Sequence, residues 1–193
     1  MHEKKALRAR LRAARSDMTE GERDAAGRAL RDHVLDMPEV ATAGTVAAYY
    51  SMGTEPVSHG LVYALWKRGT YVLLPVLQDD GDLDWASYEG PSSLVAGRFG
   101  VMEPSEVLRG VSAVSRADVV IVPALAVSRS GHRLGRGGGS YDRALSRVGG
   151  QVLTLALLYD DELLSQVPVE PHDASVRAVA RPGHGVTRLP ADG

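Results

Sequence analysis

The stretch "ADVVIVPALAVSRSGHRLGRGGGSYDRAL", residues 117–145, decides the fold. It opens on the most apolar run in the chain, "ADVVIVPAL", short and rich in β-branched residues, which reads as a buried central strand. It closes on a helical pattern from about Tyr141 to Val148. Between them lies "RLGRGGGSYDR", a glycine-rich turn set against arginines. A buried strand, a glycine loop and a helix in that order form the place where α/β proteins hold phosphate, because glycines let successive N–H groups turn inward. Arg133 and Arg136 would add forked contacts to a polyphosphate. The spacing is not a Walker loop, since no Gly-Lys-Ser/Thr follows, and it is a poor dinucleotide fingerprint. A solvated surface turn is the other reading, and the position between strand and helix favours the anion site.

Outward from this segment the same alternation recurs. "EKKALRARLRAAR" puts Ala6, Leu7, Leu11 and Ala14 on one side of a helix and Lys and Arg on the other. Thr19 with Glu22 forms a capping box that opens a second helix through Val34 and Leu35, and Pro38 closes that region. Strands are expected at Thr45–Tyr50, at "TYVLLPV" (70–76) and, half-exposed, at "LDWASY" (83–88), with a helix in "VSHGLVYALWKRG" ending at Gly69. Residues 90–116 read as an irregular connection. Beyond the glycine loop come a strand at "QVLTLALL", a short helix at "YDDELLSQV", a last strand at "ASVRAVAR", and a loose tail from about 182 to 193. The pattern predicts one α/β domain over 1–193 with a largely parallel, Rossmann-like central sheet, flanking helices and a ligand site at the carboxyl ends of the strands. "SMGTE", "ALAVSRSGHRLGRGGG" and "YDDE" all fall at strand exits, so they are expected to meet.

Composition narrows the function. The chain has 193 residues, 44% hydrophobic and 24% charged, with a formal net charge of −2, so any anion site must be local and a nucleic-acid role is disfavoured. With no cysteine, disulfides, thiolate metal sites and cysteine nucleophiles are excluded, and the six histidines show no paired ligand spacing. The basic N-terminus lacks the apolar stretch of a signal peptide and carries Glu3, Asp17, Glu20, Glu22 and Asp24, unlike a mitochondrial presequence. No run approaches a membrane span. A cytoplasmic, monomeric protein without membrane or nucleic-acid partners is the expectation.

Single residues stay two-sided on this reading. Asp142 is a dipole partner at a helix start or a Mg²⁺ carboxylate. Glu55 is a solvated loop carboxylate or an acceptor for a ligand amide, and Asp173 a turn former or something more.

Taken together, "KKALR" (4–8), "YYSMGTE" ending at Glu55, "LLPV", "FGVMEP", "VVIVPALAVSRSGHRLGRGGGSYDR" and "VPVEPHD" resemble the 5-formyltetrahydrofolate cyclo-ligase family, also called methenyltetrahydrofolate synthetase. They run in the family's order from residue 4 to about 181, and "RLGRGGGSYDR" is the specific piece. The resemblance implies an ATP- and Mg²⁺-dependent enzyme that converts the reduced folate 5-formyltetrahydrofolate to 5,10-methenyltetrahydrofolate with release of ADP and phosphate. It implies that Lys4, Lys5 and Arg8 reach the nucleotide phosphates. Arg133, Leu134, Gly135, Arg136, Gly137, Gly138, Gly139, Ser140 and Tyr141 would wrap the triphosphate, with Arg136 and Tyr141 catalytic. Asp142 and Asp173 would hold the metal, and Tyr50 and Glu55 would contact the folate. Phe99 would stack on the pterin, or else be a buried core aromatic. Ser140 departs from the family's usual pair of tyrosines, as do Arg177 and Arg181 from its C-terminal pattern. A related ATP-dependent enzyme on another heterocycle, thiamin- or pterin-like, and a non-catalytic nucleotide-sensing module are the alternatives.

Overall fold

The structure, a computed structural model, describes residues 2–190. Its frame is a seven-stranded sheet. In chain order the strands are β1 (Thr45–Ala47), β2 (Tyr71–Leu77), β3 (Leu83–Ser87), β6 (Val119–Pro123), β9 (Leu153–Leu157), β11 (Ala178–Arg181) and β12 (Gly185–Arg188), and across the sheet they run β12-β11-β9-β6-β1-β2-β3. The five inner strands are parallel and both edge pairs antiparallel. Strand β6, the apolar run of the opening stretch, is the middle strand, as its composition requires of a strand buried on both faces.

Alternate side chains along each strand point to opposite faces. Val46, Val72, Leu74, Val119, Ile121 and Leu155 face one layer, where α2 (Glu20–Leu35), α3 (Pro38–Ala41) and α4 (His59–Lys67) supply Leu30, Val34, Val40, Leu61 and Leu65. Ala47, Leu73, Val120, Val122 and Ala156 face the other, against α5 (Ser140–Ser146) and the 3₁₀ turn Val111–Arg116. Thr19 caps α2 as the sequence indicates: its hydroxyl accepts from Glu22 N at 3.1 Å while the Glu22 carboxylate accepts from Thr19 N at 2.8 Å.

From β1 the chain moves to β2 on one side and later crosses to β6 on the other. That reversal opens a crevice beyond the carboxyl ends of β1 and β6. The α/β class, the parallel sheet and its helical layers stand as the sequence predicts.

Several local expectations are corrected. Strand β1 stops at Ala47, because the Ser58 hydroxyl donates to the Tyr49 carbonyl at 2.6 Å and bends Tyr49 and Tyr50 out of the sheet. Strand β3 is mostly buried rather than half-exposed, since Arg109 N donates to Trp85 O at 2.7 Å and the following turn covers it. Residues 90–116 contain a hairpin, β4 (Leu94–Ala96) with β5 (Met102–Pro104). Residues 126–134 form another, β7 (Ala126–Ser128) with β8 (Arg133–Leu134), joined by β10 (Leu163–Leu164) in a second small sheet. The helix expected at "YDDELLSQV" is one 3₁₀ turn, Asp160–Glu162, because the Glu162 carboxylate turns inward to accept from Tyr159 N. The tail expected to be loose from 182 is not so through 190. Strand β12 pairs with β11, Gly183 N donates to Asp160, and Arg188 ion-pairs with Glu39. Residues 191–193 of that tail lie outside the described residues.

At one end of the sheet, Arg147 after α5 grips Asp82 in the β2–β3 turn through two bonds of 2.7 and 2.6 Å. These bonds hold the Asp82 carboxyl at about 2, against an ordinary 3.8, with partial burial opposing. A depressed carboxylate pKa stabilises the fold above the unfolded value and loses that contribution as pH falls through the folded one. Asp82→Asn should therefore cost about 1–2 kcal/mol at neutral pH, measured by urea denaturation. The difference from the parent should shrink as pH drops from about 4 toward 2.

Candidate active site

The crevice holds a cavity of about 470 Å³. It is lined from the β1 exit by Tyr49, Tyr50, Met52 and Glu55, from the β6 exit by Pro123–Leu125, and by the whole run Arg133–Asp142. Helix α1 (His2–Ser16) and the segment 170–173 complete it, with Arg98 and Val101–Glu103 of the β4–β5 hairpin at another side.

Helix α1 is placed first by its apolar stripe. Leu11, with Leu7 beside it, packs on Leu125, Ala126, Leu134 and Val167. Its far end is fixed by charge: Arg15, 4% exposed in its side chain, meets Glu162, 6% exposed, at 2.7 and 2.9 Å. The same guanidinium donates to Ala124 O at 2.6 Å, at the end of β6. Burial opposes the charge on Arg15, and the Glu162 bonds more than restore it.

The basic face is a staple rather than a solvated surface. Arg8 Nε donates to Gly135 O at 2.8 Å and Arg12 to Arg136 O at 3.3 Å. Lys4 Nζ donates to Asp173 Oδ2 at 2.5 Å and Glu170 Oε2 at 2.6 Å. Lys5 is exposed and lies outside the cavity lining.

The glycine loop needs its glycines at specific points. Gly137 and Gly139 have φ of +114° and +73°, the left-handed region that side chains rarely adopt. A Cβ on Gly135 would come within 2.9 Å of the Arg133 guanidinium. Arg133 is buried; its Nε donates to Pro123 O at 2.7 Å, its Nη1 lies 3.6 Å from Asp142, and its guanidinium sits 5.4 Å over the Tyr141 ring. Burial draws its pKa down, with Asp142 the leading opposition. Ser140 donates to Gly81 O at 2.6 Å and ties the loop to the β2–β3 turn, where Arg143 Nη2 donates to the same oxygen.

Glu55 is buried and accepts from Met52 N at 2.8 Å. Burial raises its pKa, while that bond and Arg136 pull the other way. The Arg136 side chain is half exposed, with Nε 3.9 Å from Glu55. Burial, and then Glu55, push the Tyr141 hydroxyl well above its ordinary range, so this phenol stays protonated.

Asp142 Oδ1 accepts from Ala174 N at 3.0 Å, which places it against the residue next to Asp173. Burial resists ionisation of Asp173, but Lys4 and the Glu170 N–H prevail and hold its pKa low. Ligand atoms of Glu170, His172 and Asp173 lie within 4.8 Å of one another.

The structure thus brings together Lys4, Arg8, Tyr50, Glu55, Arg133–Tyr141, Asp142 and Asp173. It does not bring in Lys5 or Phe99. Phe99 is 84% exposed at the tip of the β4–β5 hairpin, with φ +55°, and is no core aromatic. Sequence reasoning missed Arg15, Glu162, Tyr49, Glu170 and His172. Arg15 falls at the i+4 position after Leu11, on the apolar stripe, which is the signal that could have found it; Glu170 and His172 carry no local signal beyond their place in "VPVEPHD".

A model of the 5-formyltetrahydrofolate cyclo-ligase family matches residues 1–182. The chain is 39% identical over 191 residues to the 5-formyltetrahydrofolate cyclo-ligase of Mycolicibacterium smegmatis, covering 96% of this chain and 97% of that one. To the protein of the same name from Escherichia coli it is 34% identical over 175 residues, covering 89% and 96%. The solution structure of Aquifex aeolicus 5,10-methenyltetrahydrofolate synthetase matches it with a TM-score of 0.84 at 27% identity, over 98% of this chain and 94% of that one. The chain belongs to the 5-formyltetrahydrofolate cyclo-ligase family and is an enzyme of that family. Among the described residues no helix is long and apolar enough to cross a membrane.

Removing Arg15 alone would strand a buried carboxylate. Arg15→Ala should cost roughly 3–5 kcal/mol in denaturant unfolding, whereas the double variant Arg15→Met, Glu162→Met should recover most of that loss.

Proposed function

We propose that this member of the family closes the ring of 5-formyltetrahydrofolate to give 5,10-methenyltetrahydrofolate, consuming ATP and releasing ADP and phosphate. One observation carries the reading: Glu55 and Arg136, which belong to the two halves of the cavity, stand 3.9 Å apart. On one side a buried carboxylate beside Tyr50 suits the adjacent N–H donors of a pterin. On the other, a glycine loop with Arg8, Arg133 and Arg136 suits a triphosphate. Reacting groups held at those two places meet at the junction.

The chemistry follows from that alignment. An amide-like formyl oxygen is a poor leaving group, so the γ-phosphoryl group is first transferred to it and ADP departs. The N10 lone pair then attacks the formyl carbon, N10 gives up its proton, and the C–O bond breaks to release phosphate. Catalysis is positioning plus charge stabilisation. Arg133, fixed by Pro123 O and Tyr141, holds standing positive charge in the floor. Arg136, half exposed, is free to follow the transferring group. Tyr141, kept neutral by burial, can donate a hydrogen bond but not act as a base.

The donor set fits a magnesium ion. Asp142 and Asp173 both line the cavity, with Asp142 bonded to Ala174 N beside Asp173, and such an ion takes one or two carboxylates together with phosphate oxygens. When bound it would neutralise charge on the phosphates. Lys4 bonds Asp173 Oδ2, which leaves Oδ1 as the oxygen that could meet such an ion.

The test is to mix the protein with 5-formyltetrahydrofolate, Mg²⁺ and ATP and follow the near-ultraviolet absorbance of the methenyl product, omitting ATP as the control. Product that forms only with ATP is expected. ATP binding without product would direct attention to another heterocycle, and binding without hydrolysis to a sensing module. Arg136→Ala should lower kcat roughly 100-fold. Glu55→Gln should raise the folate KM roughly tenfold or more and leave the ATP KM within about twofold.

A further inference from the structure

The Tyr50 ring does not stand free in the cavity wall. His59, the first residue of α4, lies face to face with it, ring centroids 3.8 Å apart and planes within 8°. The imidazole is itself fixed, with Nε2 2.7 Å from the Ser51 carbonyl oxygen, a contact in which the nitrogen must carry the proton and donate. Around it the segment 49–59 is closed on itself. Ser51 N donates to Ser58 Oγ and Ser58 N to Ser51 Oγ, both at 2.9 Å. The ring pair is the one aromatic stack on this segment.

Apart from the bond to Ser51 O, neither core packing nor helix capping explains His59. As a whole residue it is exposed, so core packing does not impose its contact with Tyr50. It adds no cap to α4, whose start makes no side-chain capping bond. What its geometry does is cover one face of the phenol ring and leave the remaining surface of Tyr50 to the cavity. A half-buried tyrosine without that cover has other staggered rotamers open to it.

We propose that His59 is a positioning residue for the reaction: it holds the Tyr50 ring in the orientation that receives the flat conjugated part of the folate. The assignment rests on the reading of Tyr50 as a folate contact. Of its two contacts, the ring stack on Tyr50 and the bond to Ser51 O, the stack is the one assigned to folate, so losing it affects folate and not nucleotide.

Three variants separate stacking from the hydrogen bond. His59→Ala removes both, His59→Gln keeps a donor toward Ser51 O, and His59→Phe keeps the ring. Folate KM should rise roughly three- to tenfold in His59→Ala and His59→Gln, and stay within about twofold in His59→Phe, with ATP KM and kcat little changed throughout. The Tyr50 ring resonances in ¹³C-tyrosine spectra, recorded without folate, should shift in the Ala and Gln variants and hold in Phe. These spectra, together with the melting temperature, separate loss of the stack from loss of the fold. An unchanged folate KM in a folded Ala or Gln variant, or equal losses for folate and ATP, would overturn the assignment. If the parent protein itself did not bind 5-formyltetrahydrofolate, the functional reading would fall and the assignment with it.

Discussion

The buried pair of Arg15 and Glu162 sets the position of everything basic in this site. It joins the end of α1 to the turn after β9 and, through Ala124 O, to the exit of the central strand. Two opposite charges so thoroughly removed from water are costly to separate, because either one left alone keeps its desolvation penalty without compensation. Once α1 is pinned there, its helical spacing delivers Arg12 to the edge of the glycine loop and Arg8 and Lys4 to the cavity wall. Each finds an oxygen: two loop carbonyls for the arginines, two carboxylates for the lysine. The rest of the site is then assembled against a helix that has little freedom to move.

How much of this is legible in the sequence depends on whether a feature is local. The capping box at Thr19, the apolar run of β6 and the glycine loop announce themselves through neighbours in the chain, and they fix the class of fold. The hairpins at 94–104 and 126–134 do not. Their strands are too short for a clear period-two pattern, and they rest on distant partners: β5 lies against β2, and α1 packs on the 126–134 hairpin. The region "YDDELLSQV" has helical composition, but the demand of Arg15 for a carboxylate turns Glu162 inward and stops the helix after one turn. A contact between residues 147 positions apart overrides a local preference.

The site residues divide in the same way. Arg133 and Glu55 are recognisable by motif, yet their burial and their partners come only from the fold. Lys4 illustrates the difference most sharply. Its motif implies a phosphate contact, while the folded chain gives it to Glu170 and Asp173, so the cation balances the site's own carboxylates. Ser140 likewise reads as a missing ring, and the structure gives it a bond to Gly81 that anchors the loop it sits on. Phe99, conspicuous as the chain's single phenylalanine, stands on an exposed hairpin tip outside the cavity lining.

The bonds from Arg8 and Arg12 to the carbonyls of Gly135 and Arg136 have a further consequence. A run of glycines samples more backbone states than any other sequence, and ordering it around a ligand sacrifices that conformational entropy at the moment of binding. Here two guanidinium groups hold the loop's oxygens before any ligand arrives. If the loop holds phosphate as proposed, much of its ordering is completed during folding rather than at binding. On that reading the first helix would act on affinity from behind the loop, by narrowing what the glycines can do.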